Sequence, residues 1–403
     1  MTPVIAILLF ILIAWLLSSN HRSTNWRTVS MALTMQVSIG WLVLYVPEGK
    51  SVLLAVSDSI SAMLKYSQAG MTFVFGDLAT PEKGFYFAFQ VLPVVVFFAA
   101  LMSALYHIGL MGLIIRIIGG ALQSTLGISR PESLLTASNI FVSMTEAPLA
   151  VLPFIPKMTR SQFFTLLVGG LATVAGSVMA GYAAIGIPLK YLIAASFMAA
   201  PGAIVMSKLM EPETEEPVED LLHTDYDHSG YANILEAISA GASTGLKLAL
   251  MIGAQLIAFI GIIALLNGII EWTSVSLGLQ SITLEKLFGI LFQPIAFLLG
   301  VPWHEAGTVG SLIGQKIVFN EFVAFIRLAQ DAGELGDLAF AISTFALCGF
   351  ANFSSIAVLM GGIGVIAPER RGQIAKQGFR AMTAATLSNL TSAAIAGFFI
   401  GLQ

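Results

Sequence analysis

Two acidic residues, Glu146 and Glu321, stand inside otherwise apolar stretches of this chain of 403 residues. A charge in apolar surroundings must be hydrated, paired, ligated or protonated. An ionised carboxylate only accepts hydrogen bonds, whereas Asn352 and Ser355 both donate and accept. Brought together, these groups suit a small neutral solute rich in hydroxyl or amide donors. A dicarboxylate would call for Arg or Lys, and none lies at 173–177 or 349–355, where small and polar residues interrupt apolar sequence. Asn139, seven residues before Glu146, and Thr173 add further side-chain oxygens. With backbone carbonyls freed by unwinding, they are what a hard monovalent cation such as sodium needs. The competing reading makes Asn139 a structural cap.

The elements that hold these residues follow from composition. Hydrophobic residues make up 57% and charged residues 10%, against roughly 25% charge in a soluble domain. That excludes a soluble enzyme, a nucleic-acid binder and a disordered chain. Nineteen Lys and Arg against 23 Asp and Glu give a charge of −4, which holds no polyanion by bulk electrostatics. The single cysteine, Cys348, excludes a disulfide framework and a cysteine metal cluster. His107, His223 and His228 form no metal-ligand spacing, and no Ser-His-Asp or HExxH arrangement supports a hydrolase. His304, next to Trp303, reads as interfacial. The 38 glycines point to broken helices in close contact. The fold class expected is an all-α, multi-pass membrane protein.

Crossing a bilayer takes about 20 apolar residues. Charge-free runs occur at 1–20, 28–47, 84–106, 161–189, 191–207, 248–270, 338–368 and 381–403, which predicts eight transmembrane helices. The first run lacks a basic leader and reads as a span rather than a signal peptide. Lys and Arg mark cytoplasmic loops, and they gather at 21–27, 157–160 and 369–380. Eight spans with both termini outside put all three on the cytoplasmic face, and the polar stretch 211–228 with them. Segments 50–75, 109–123 and 229–247 read as interfacial or amphipathic, the last running unbroken into the span at 248.

One pattern occurs twice. Leu126-Gly127, Glu132, Glu146 and Lys157 are matched by Leu299-Gly300, Glu305, Glu321 and Arg327. Glu132 and Glu305 read as charges at helix N-termini. The halves between these marks hold about ten to thirteen residues, reaching at most about 20 Å, too short to cross. Two re-entrant hairpins of opposite orientation are therefore expected, each followed by a span interrupted at 173–177 or 349–355. Inverted repeats with discontinuous helices are the architecture of secondary transporters, with the site where the breaks converge. The other readings are a passive pore for small polar solutes and a membrane hydrolase using the two carboxylates.

Asn139-Ile-Phe-Val-Ser-Met-Thr-Glu-Ala-Pro148, Asn320-Glu-Phe-Val-Ala-Phe325 and Cys348-Gly-Phe-Ala-Asn-Phe-Ser-Ser355 resemble signature segments of the concentrative nucleoside transporters, in particular the bacterial members. The resemblance extends over almost the whole chain. It implies a homotrimer in the bacterial inner membrane that imports nucleosides such as uridine by alternating access, coupled to Na+ or, in some relatives, to H+. It implies scaffold helices over 1–108, a first transport repeat over 109–210 and a cytoplasmic loop over 211–228. A scaffold and trimerisation helix over 229–272 and a second, inverted repeat over 282–403 would follow. By the family's pattern Thr145 and Glu146, after Ser143 and Met144, would bind the nucleobase. Glu321, Asn352 and Ser355 would bind the ribose hydroxyls, with Phe350, Val178 and Ile326 packing around the solute. The sodium site would use Asn139 and Thr173 with carbonyls of Val142 and Val174. Relatives commonly carry Gly-Gln where this chain has Ser143-Met144, and methionine cannot give the base the amide hydrogen bonds that glutamine can. Thr173 replaces a serine of some relatives and keeps its hydroxyl.

Overall fold

The computed structural model describes residues 1–80, 84–218, 231–276 and 282–403. Among these residues the ordered elements are helices, and no strand occurs. His223, His228 and the larger part of the loop 211–228 lie outside the described residues. Six described helices are long and apolar enough to cross a bilayer by themselves: Trp26–Leu44, Phe87–His107, Arg160–Ala184, Leu189–Met210, Ile234–Ser276 and Pro368–Ile400. Two further expected spans take shorter forms. Thr2–Leu16 has 15 residues, and the run 338–368 divides into Asp337–Leu347 and Phe353–Ile366.

Two helical hairpins are present. In the first, Arg130–Ser138 packs against the 3-10 limb Ala147–Lys157. Pro148, Pro153 and Pro156 lack the amide hydrogens an α-helix needs there, and Val151 leaves helical geometry altogether. In the second, Trp303–Val318 packs against Glu321–Gln330. Its first limb, with 16 residues, is about 24 Å long and exceeds the length expected from sequence. Its glycines serve close contact. An ideal Cβ on Gly310 would fall 2.7 Å from the amide nitrogen of Gln293, and one on Gly314 2.6 Å from Cβ of Phe288.

Those contacts belong to a helix the sequence reading passed over, Leu284–Leu298. It is the counterpart of Leu110–Leu126, the expected interfacial helix before the first hairpin. Each ends at a glycine with positive φ, Gly127 at 64° and Gly300 at 105°, which L-residues with a side chain rarely adopt. After Gly300 the chain turns by 115° into the second hairpin. Pro294, inside the short second helix, obscures it in the sequence.

Packing groups the spans. Thr2–Leu16 lies against Arg371–Ile400, and Trp26–Leu44 lies against Leu189–Met210. The buried Gln36 amide donates to Ser392 Oγ at 2.9 Å. Leu92–His107 packs instead along the long helix Ile234–Ser276. Glu132 does more than charge a helix N-terminus: it forms a capping box with Ser129 and a 2.6 Å ion pair with Lys208 inside the protein. The basic segments converge at one end. Arg370 donates to the carbonyls of Ile155, Pro156 and Met158, and Arg380 to those of Leu17 and Met210. Arg160 and Arg380 share Glu211.

The long helix meets Leu92–His107 through Gly241 and Gly245. An ideal Cβ on Gly245 would sit 2.7 Å from Cα of Val96, whereas one on Gly261 of the same helix meets nothing within 4 Å. Small residues four apart let two backbones approach this closely. Gly245→Val is expected to lower the melting temperature of the detergent-solubilised protein by several degrees, with Gly261→Val unchanged. Differential scanning fluorimetry of both variants checks the contrast.

Candidate functional site

The two interrupted spans meet at their breaks. The first runs helically over Arg160–Ala172, is extended at Thr173, and resumes at Gly176–Ala184. The second stops at Leu347 and resumes at Phe353. Across the gap the Phe350 amide donates to the Thr173 carbonyl at 3.3 Å. Asn389 of the last helix bridges the same place, donating to the carbonyls of Ala172 at 2.7 Å and Cys348 at 3.1 Å. Lys316, fully buried, donates to Asn389 Oδ1 at 2.7 Å and to the Ala346 carbonyl at 2.9 Å. Helix ends leave carbonyls without intrahelical partners, and these two side chains supply the missing donors.

Glu321 opens its helix, and Asn320 caps it by accepting from the Val323 amide at 2.9 Å. A carboxylate in a first turn lies at the positive end of the helix dipole. Its Oε1 accepts from the Tyr182 hydroxyl at 2.9 Å, and its Oε2 from Asn352 Nδ2 at 2.8 Å. Asn352 in turn caps the next helix, accepting from the Ser355 amide at 2.8 Å. Tyr182 is wholly buried, with ring centroids 4.9 Å from Phe322 and 4.3 Å from Phe325. An acid of one repeat is thus held by a phenol of the other.

The tip of the first hairpin supplies the facing wall. The Ser143 amide donates to Glu146 Oε2 at 3.2 Å, and the Ser143 and Thr145 hydroxyls lie 3.1 Å apart. A cavity of about 230 Å³ is lined by Ser143, Met144, Thr145, Glu146 and Val178 on one side. Glu321, Phe350, Asn352 and Ser355 line it on the other. The two acids share one space, as their matched positions predict.

Two expectations need correction. Ile326 does not line this cavity; five residues beyond Glu321, it is rotated by about 140° around the helix. Glu146 is also not a buried acid. Glu321 is 5% exposed, but Glu146 is an exposed turn residue at the lip of the cavity. Sequence reasoning missed Tyr182, a single phenol in an apolar half-helix whose partner lies 139 residues away. It also missed Thr244, Lys247, Met251 and Gln255, one stripe of the long helix that lines the same cavity.

A second cluster sits behind the hairpin tip. Asn139 is buried, and neither atom of its amide has a hydrogen-bond partner. An ideal Cβ on Gly169 would lie 2.8 Å from Asn139 Nδ2, and the Thr173 hydroxyl donates to the Gly169 carbonyl at 2.8 Å. The Gly176 amide donates to the Phe141 carbonyl at 3.0 Å, which holds the strip 139–142 along the break. An amide oxygen left without a donor in a dry interior is costly, and a cation is one partner that satisfies it. Among the described residues no group of three or more His, Cys, Asp or Glu could hold a metal, so neutral oxygens are the ligands on offer.

Comparison with known proteins agrees in every region. Family profiles described as "Na+ dependent nucleoside transporter" match at residues 5–78, for the N-terminus, and 191–397, for the C-terminus. One described as "Nucleoside recognition" matches 88–189. An uncharacterised transporter of Haemophilus influenzae is 50% identical over 100% of this chain and 98% of its own. Nucleoside permease NupC of Helicobacter pylori is 46% identical over 99% and 98%. The mouse sodium/nucleoside cotransporter 1 is 39% identical over 97% of this chain and 62% of the longer mouse protein. Among solved structures, CNTnw in an inward-facing substrate-bound state is 48% identical and superposes with a TM-score of 0.95, covering 100% of this chain and 98% of that one. This chain belongs to the concentrative nucleoside transporter family: it is a multi-pass membrane transporter of nucleosides and not an enzyme.

Proposed function

We propose that this transporter imports nucleosides such as uridine into a bacterial cell across the inner membrane, coupled to sodium. The observation that carries the reading is the shared cavity of Glu146 and Glu321, with Glu321 held by groups from both repeats. Ribose hydroxyls donate to Glu321 and exchange hydrogen bonds with Asn352 and Ser355, while Thr145 and Glu146 take the polar edge of the base. Val178 and Phe350 cover its faces. Sodium is a co-substrate bound by Asn139 and Thr173 with carbonyls of Val142 and Val174; the unpartnered Asn139 amide favours it.

Binding then follows an order. The ion draws the strip 139–142 against the break at Thr173, which sets the hairpin tip carrying Ser143 to Glu146. The nucleoside bridges that tip to Glu321 and Asn352, and the loaded repeats move past the long helix in alternating access. One charge crossing 100 mV supplies about 2.3 kcal/mol, enough for accumulation of a few tens-fold. The protein works as a homotrimer with both termini outside. The ends agree with that orientation, because the basic loops gather opposite Gln403, which hydrogen-bonds Leu44 and Lys50.

Uridine uptake into proteoliposomes, with sodium varied at fixed pH, tests the coupling. Uptake is expected to fall toward background without sodium, and Asn139→Leu to remove the dependence. Undiminished uptake without sodium, driven by a pH gradient, would assign the proton instead. Glu321→Ala is expected to abolish measurable uridine binding. Tyr182→Phe removes one hydrogen bond to a charged group and is expected to weaken binding about tenfold. Isothermal titration of both variants reads this directly, and retained affinity in Glu321→Ala would remove the ribose contact.

A further inference from the structure

Among the described residues Lys247 is the one cation lining the cavity, and the mechanism above leaves it without a task. Its ammonium makes no ion pair or hydrogen bond with any described residue, although two carboxylates line the same space. It projects from the long helix, one turn beyond Thr244 and two turns before Gln255, on the stripe that faces the hairpin tip. Gly241 and Gly245, in the two turns just before Lys247, lock that helix against Leu92–His107, so the lysine's root is fixed.

An inventory of donors shows what such a group can do. Acceptors abound at the base end: Glu146 offers carboxylate oxygens, and Met144 offers no hydrogen to donate. The Ser143 and Thr145 hydroxyls face each other, and the Ser143 amide is spent on Glu146. A base with ring N–H or amino groups finds a charged acceptor here, whereas the donors offered to an exocyclic carbonyl beside Lys247, the Thr244 hydroxyl and the Gln255 amide, are neutral. An ammonium carries three donors and no acceptor. It favours a carbonyl and opposes an amino group, which would set donor against donor.

We infer that Lys247 is a specificity-determining residue that donates to the exocyclic oxygen of the nucleobase far from the sugar, favouring oxo over amino bases. The inference rests on the nucleoside reading above. It predicts that uridine and inosine are preferred to cytidine and adenosine, each pair differing by oxygen against an amino group.

Uptake of all four radiolabelled nucleosides by the wild-type protein and by Lys247→Met and Lys247→Arg in proteoliposomes tests it. The methionine variant is expected to raise KM for uridine and inosine about tenfold or more, the worth of one charge-assisted hydrogen bond. Cytidine and adenosine should be unchanged or improved, and the arginine variant should keep most of the wild-type ratio. An equal loss for all four would make Lys247 a general electrostatic or packing residue and overturn the assignment, as would no change at all. Absence of uptake of every nucleoside by the wild-type protein would instead sink the underlying function. Because the lysine is exposed, both variants should fold, and their melting temperatures check that.

Discussion

A helix broken inside an apolar bundle exposes carbonyls and amides that lipid cannot satisfy, and the whole centre of this protein answers that constraint. Asn389 reaches the carbonyl ends of both interrupted spans, and Lys316 holds Asn389 while reaching a third carbonyl. Asn320 and Asn352 do the equivalent work at the amide ends of the helices that follow. Backbone left over after this accounting is available to a ligand. The cavity and the Asn139 cluster are where the internal partners run out, so the breaks create the site and also limit its extent.

The pairing of Glu321 with Tyr182 and Asn352 gives the two halves different electrostatic characters. Glu321 is buried at the cavity wall, with one hydrogen bond to each of its oxygens before any solute arrives. Glu146 lies at the rim, bonded only to a nearby backbone amide. One acid is preorganised and buried; the other is exposed and attached to a turn. Hydrogen bonds made in low dielectric are stronger, so under the proposed function discrimination among ribose hydroxyls would belong to the buried side. Met144, which has no side-chain donor, lies on the side of the exposed acid.

Much of this was legible from residue order. Carboxylates in apolar surroundings cannot be neutral accidents of packing, so Glu146 and Glu321 announce a polar interior. Glycine followed five residues later by glutamate, twice, marks the hairpins. What stayed hidden is contact between segments distant in sequence. Tyr182 looks like one more aromatic residue until Glu321 is laid beside it. Lys316 resembles an interfacial lysine, because a helix that reads as short is in fact long enough to carry it inside. Lys247 sits on an amphipathic stretch whose polar side reads as a solvated face. The exposure of Glu146 was misjudged because apolar neighbours in sequence do not enclose a residue at a turn.

The long helix carries one last implication. Its 43 residues form a single rod of about 65 Å, roughly twice the depth of the hydrocarbon layer. A rod without a joint has one direction. Its amphipathic beginning therefore cannot recline on the lipid surface while the remainder stands upright, and Gly241 and Gly245 seat it against the span Leu92–His107. Up to about 35 Å of the rod's length then exceeds the hydrocarbon, and the apolar side of that excess needs protein, not lipid, to shelter it.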